Sequence, residues 1–75
     1  MRLEMLSYLN TLHSGIIALE VMADELVRVA DVSSDETAAD IMLTLARSHR
    51  VKILEMQGQF AALKEIYSER CHREA

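Results

Sequence analysis

The sequence predicts an all-α protein, an antiparallel two-helix hairpin that pairs with a second copy into a four-helix bundle. Three observations carry that expectation. Two apolar series step by four and three residues on either side of one short break, and the break ends in a helix-starting motif. The composition is rich in Leu, Ala, Met and Glu, with two glycines and no proline, which suits helix and disfavours strand.

The first helix is expected over about 3–30, in one domain spanning 1–75. Met5, Leu9, Leu12, Ile16, Leu19, Ala23, Leu26 and Ala30 fall on one stripe of it, the seam of a coiled-coil-like pair. A turn is expected at about 31–33. Ser33-Ser34-Asp35-Glu36 then reads as a capping box: Ser33 accepts from the Glu36 amide, and the Glu36 carboxylate reaches back to the Ser33 amide. A new helix therefore begins here, although Asp31-Val32-Ser33 holds neither glycine nor proline.

The second helix is expected over about 34–71, with Ala39, Met42, Ala46, His49, Ile53, Met56, Phe60, Leu63 and Tyr67 on its seam. Folding the chain so that facing residue numbers add to about 65 brings the stripes together layer by layer. Leu26 then faces Ala39, Leu19 faces Ala46, Ile16 faces His49 and Met5 faces Phe60. Small residues against large ones bring the helices close near the tip. Bulky Met5, Leu9, Leu12, Ile53, Met56 and Phe60 predict a more open far end with a pliable, methionine-lined surface. Gly58 falls outward and weakens its helix by about 1 kcal/mol relative to alanine.

A lone hairpin of 75 residues has no third layer to enclose a core. Ile17, Ala18 and Val21 lie on the face of the first helix opposite its seam, and Val51 and Leu54 lie off the seam of the second. The second helix is the longer, so Leu63, Ile66 and Tyr67 are expected to project beyond the first without a mate. Burying a Leu or Ile side chain contributes about 1.5–3 kcal/mol, so several wet ones matter against a total stability of about 5–15 kcal/mol. Ile17, Val21, Val51, Leu54, Leu63, Ile66 and Tyr67 are therefore the candidate anchors of a dimer or partner interface.

The net charge of −4 argues against a dedicated nucleic-acid binder, whose affinity comes largely from Lys and Arg on phosphates. Residues 20–40 hold seven acids against Arg28 alone, which makes the tip acidic. Asp35 and Glu36 there, and Arg47 and Arg50 in the basic cluster with Lys52, are candidate charged contacts that orient a partner. His49 on the seam, with Glu20 one turn away on the other helix, is the candidate buried polar pair.

Candidate chemistry is sparse. His13, His49 and His72 fall at different levels, and no Glu-x-x-His or Cys-x-x-Cys pair is present, so no metal is expected. Cys71 and His72 are adjacent, yet neighbours on a helix point about 100° apart, which does not build a nucleophile–base pair. No phosphate-cradling loop, nucleophile elbow or carboxylate pair appears, so neither an enzyme nor a cofactor is expected. One cysteine, no apolar run near the roughly 20 residues of a membrane span, and no secretory layout lead to an expected cytoplasmic location away from membranes.

In plan, and in the tip segment Asp35-Glu36-Thr37-Ala38-Ala39-Asp40-Ile41, the chain resembles the Rop-type plasmid regulators, short hairpins that dimerise into a four-helix bundle. That resemblance implies RNA binding through polar and basic residues of the first helix. Here the first helix offers Arg2 and Arg28 among several acids, so RNA is not carried over as the expected partner. The expected function is that of a small homodimeric adaptor or antagonist, of a phage or bacterial kind, that occludes the surface of another protein. A co-chaperone-like hairpin complexed with a secretion or assembly subunit, and a Rop-like RNA binder, are the alternatives.

Overall fold

The computed structural model describes residues 2–74. Two helices, α1 (Arg2–Val32) and α2 (Glu36–Glu74), run antiparallel in a rod with extents of 59 × 15 × 13 Å. The expected all-α hairpin is present, and every residue of both predicted stripes is buried or half-buried. The most enclosed are Ala23 and Ala46, each 1% exposed, with Leu9, Leu12, Ile16, Ala30 and Ile53 also buried.

The turn lies two residues later than its sequence signals indicate. α1 continues through Asp31 and Val32, and the Ser33 amide donates to the Ala30 carbonyl at 3.2 Å to close its last turn. The capping residue of α2 is Asp35 and not Ser33. The Asp35 Oδ1 accepts from the amides of Thr37 (3.0 Å) and Ala38 (3.3 Å), and its carbonyl accepts the first helical bond, from Ala39, at 2.9 Å. A carboxylate answers the positive end of a helix better than a hydroxyl does, so Asp35 takes the cap. Ser33 Oγ instead accepts from the Asp35 amide at 3.3 Å, bracing the turn.

That shift changes which residues face each other. The expected register, with facing numbers adding to about 65, is corrected to one adding to about 72. The cross-helix neighbours establish it. Met56 reaches Gly15, the His13 and Phe60 rings lie 5.9 Å apart, Arg50 reaches Asp24 at 3.8 Å, and Arg2 lies against Tyr67 and Cys71. A slide of one heptad returns each core position to an equivalent core position, so both registers bury the same stripes.

In the corrected register Leu26 covers Ala46, His49 covers Ala23 and Met56 faces Ile16. Tyr67 does not project past α1 without a mate, because it is half-buried and has Arg2 beside it. Leu63 is half-buried as well. Gly58 is exposed, and a Cβ there would meet nothing within 4 Å. Gly15 is different: a Cβ would stand 2.7 Å from the Met56 Cε, so the glycine makes room for that methyl.

Candidate functional site

An antiparallel pair of heptad helices has two flanks, one on each side of the seam. On the first, Tyr8, Met22, Leu45 and Ile66 border the seam, and Val21 and Ile41 lie outside it. Near the tip, Val21, Met22, Glu25, Leu26, Leu45 and His49 line an open groove on this flank. A shallow depression bounded by Thr37, Asp40, Ile41, Thr44 and Leu45 continues it toward the turn. Met22 is 51% exposed and Val21 62%, large values for apolar side chains set so close together.

The second flank is mixed in character. Leu6, His13, Leu43, Arg50 and Lys64 border the seam, with Ile17, Asp24, Arg47 and Leu54 outside them. At the end away from the tip, Leu6, Leu9, Asn10, His13, Phe60, Lys64, Tyr67 and Ser68 form a groove with an apolar floor and a polar rim. The tilted His13–Phe60 ring contact lies in its wall. Arg2 closes the far end: the Cys71 thiol, and then the Tyr67 hydroxyl, raise the pKa of its guanidinium.

The predicted anchors divide between these surfaces. Val21 and Ile66 are exposed and belong to the first flank, Val51 is exposed on the outer face of α2, and Ile17 and Leu54, the latter 68% exposed, belong to the second flank. Leu63 and Tyr67 are seam residues of the far end. Sequence reading passed over Met22, Ile41, Leu43 and Leu45. For Met22, Leu43 and Leu45 the signal was available in the positions bordering a seam, which are usually polar in a two-stranded coil and are apolar at these three.

The expected buried pair of His49 and Glu20 is not formed. No polar side chain is buried among the described residues; His49 is half-buried and lines the first flank's groove, while Glu20 is exposed on the second flank. The pairing depended on the 65 register, and a two-layer rod leaves both flanks open to water.

The charged candidates have mixed fates. Arg50 pairs with Asp24 across the hairpin at 3.8 Å, and Lys52 pairs with Glu55 along α2 at 3.8 Å. Both are exposed, so each contributes about 0–1 kcal/mol. Asp35 is engaged as the cap of α2, and Glu36 opens that helix. Arg47 is exposed on the second flank, one turn before Arg50 and two turns before Leu54. On α1, Arg28 binds Glu25 through two nitrogens and holds that carboxyl below the usual glutamate range.

Among the described residues, no three His, Cys, Asp or Glu side chains gather to hold a metal ion, and no helix is long and apolar enough to cross a membrane. No protein family, curated protein or solved structure matches this chain.

Proposed function

We propose that this chain is a non-enzymatic protein-binding regulator, an adaptor or antagonist that pairs with itself into a four-helix bundle and acts by covering a surface of another protein. One observation carries this reading. A rod only 15 × 13 Å in cross-section leaves Ile17, Val21, Met22, Ile41, Leu45 and Leu54 between 46% and 68% exposed, on both of its flanks. Large apolar surface on two sides of a small chain marks contact with other chains, since an isolated domain seldom leaves so much uncovered.

Two flanks provide for two kinds of contact. One accepts a second hairpin, completing the layer that a single copy lacks. The other docks the target, with Leu54 and Ile17 as apolar anchors and Arg47 and Arg50 setting orientation.

Sedimentation of the purified chain, followed by a pull-down from the native host, tests the proposal. A dimer at micromolar concentration, and a captured protein that Leu54→Glu releases without dissolving the dimer, are the expected results. A folded monomer that binds nothing would overturn it. A chain that folds only in a mixed complex would favour the co-chaperone reading, and a gel shift with steep salt dependence would favour RNA.

A further inference from the structure

We propose that the second copy packs on the flank of Tyr8, Met22, Leu45 and Ile66, antiparallel to the first and over the whole length of the rod. This rests on the self-pairing proposed above and assigns its face and orientation.

Charge selects the flank. The second flank carries Glu20, Asp24, Asp31, Arg47, Arg50 and Lys64, and covering it with another helix pair would strip water from most of them. On the first, Lys52 alone borders the seam, where the second has Glu20, Arg50 and Lys64; Glu4, Glu25, Glu55 and Glu69 stand outside its apolar positions. The centres of homodimer interfaces are depleted of charge, as this flank is.

Area selects the extent of overlap. A face of 59 × 15 Å offers about 900 Å² per copy, close to the roughly 800 Å² per partner of a stable interface. Half of that length falls below what a specific dimer needs. The two copies therefore overlap from end to end, either with their tips together or with each tip over the other's far end.

Charge then selects the direction. The tip holds Asp31, Asp35, Glu36 and Asp40 against Arg28, whereas the far end holds Arg2, Lys64, Arg70 and Arg73 against an equal number of acids. Side-by-side tips would bring eight carboxylates into one place with two arginines. The antiparallel arrangement separates the tips and lays each along a stretch of balanced charge. It also sets Tyr8 and Ile66 of one copy at the level of Leu45 of the other, so apolar surface meets apolar surface.

Cys71, the chain's one cysteine, makes the test direct. A nitroxide placed on it reports the separation of the two far ends by pulsed electron resonance. At 1.5 Å per residue, the antiparallel dimer puts the labels about 50 Å apart, and the parallel one puts them within about 25 Å. Sedimentation of the same sample gives the oligomeric state independently.

The expected result is a dimer with the long separation. Leu45→Glu and Val21→Glu weaken that dimer by at least about tenfold, and Leu54→Glu leaves it intact. Circular dichroism at high protein concentration checks that each variant is still helical. A dimer with the short separation overturns the orientation but leaves self-pairing standing. A dimer that resists Leu45→Glu and Val21→Glu and yields to Leu54→Glu overturns the flank. A folded monomer overturns both this inference and the self-pairing beneath it.

Discussion

The Cε of Met56 lies 2.7 Å from the point where a Cβ on Gly15 would stand, so the absence of one side chain decides where another rests. Gly58, two residues before Phe60 and on the outer face of α2, has no such neighbour. The two glycines therefore answer differently to the same change. Gly58→Ala gains helix propensity at no steric cost and should stabilise the protein by about 0.5–1 kcal/mol, raising its melting temperature by about 2–8 °C at fixed protein concentration. Gly15→Ala must push aside the flexible end of Met56 and should gain less. Gly15→Leu should lose about 1–3 kcal/mol through overpacking. Thermal denaturation followed by circular dichroism ranks the three, and a Gly15→Ala gain equal to that of Gly58→Ala would contradict the Met56 contact.

Ala23 and Ala46 are the most enclosed residues, each 1% exposed, and they set how near the helices come toward the tip. Ala46→Leu should force Leu26 off its rotamer or drive the helices apart, at a cost of about 1–3 kcal/mol. Exposed Ala61 and Ala62 should accept leucine with changes within about 0.5 kcal/mol. Urea melts of the three variants would reveal the difference, and equal midpoints would count against the close approach at Ala46.

The Arg2 side chain ties the start of α1 to Cys71 and Tyr67, which raise its pKa. Removing it in Arg2→Ala should loosen the far end while leaving the tip unchanged. Hydrogen exchange is expected to speed up in residues 3–8 and 66–72 and to stay the same around Ala30 and Met42. Uniform exchange rates before and after the substitution would mean that Arg2 only decorates the surface.

The stripes could be read from the sequence because a seven-residue repeat names the same core positions whatever lies opposite. The register could not, because sliding one helix by a heptad exchanges one set of matched layers for another. Only the turn separates the two choices, and Ser33, Ser34 and Asp35 are all capping residues in a row. Taking Ser33 as the cap led to the 65 register, and the pairing of His49 with Glu20 followed from that. The role of Gly15 was hidden for the same reason, since it has meaning only once Met56 is known to lie across from it. The exposed anchors Ile17, Val21, Val51 and Leu54 were legible because they depend on each helix's own periodicity.

The turn itself can be tested. Asp35 Oδ1 holds two amides at the start of α2, while Ser33 Oγ holds one amide in the turn. Asp35→Ala should therefore cost about 1 kcal/mol, and Ser33→Ala should cost less. Chemical denaturation of the single variants decides between them. A larger loss for Ser33→Ala would return the cap, and with it the fold point, to the earlier position.

The Arg28–Glu25 pair gives an acid-side prediction whose sign follows from linkage. Arg28 lowers the Glu25 pKa in the folded chain, so the folded state binds this proton less readily than the unfolded state does. The pair's small contribution is therefore complete at neutral pH, above the ordinary glutamate range, and is lost as the pH falls through that range and below the depressed value. Both groups are exposed, and salt should shrink the effect. Carbon-detected NMR titration should find Glu25 titrating below the ordinary glutamate range, and Arg28→Ala should return it toward that range. If Glu25 keeps its low midpoint in that variant, the cause lies in the helix around it and not in the guanidinium three residues along.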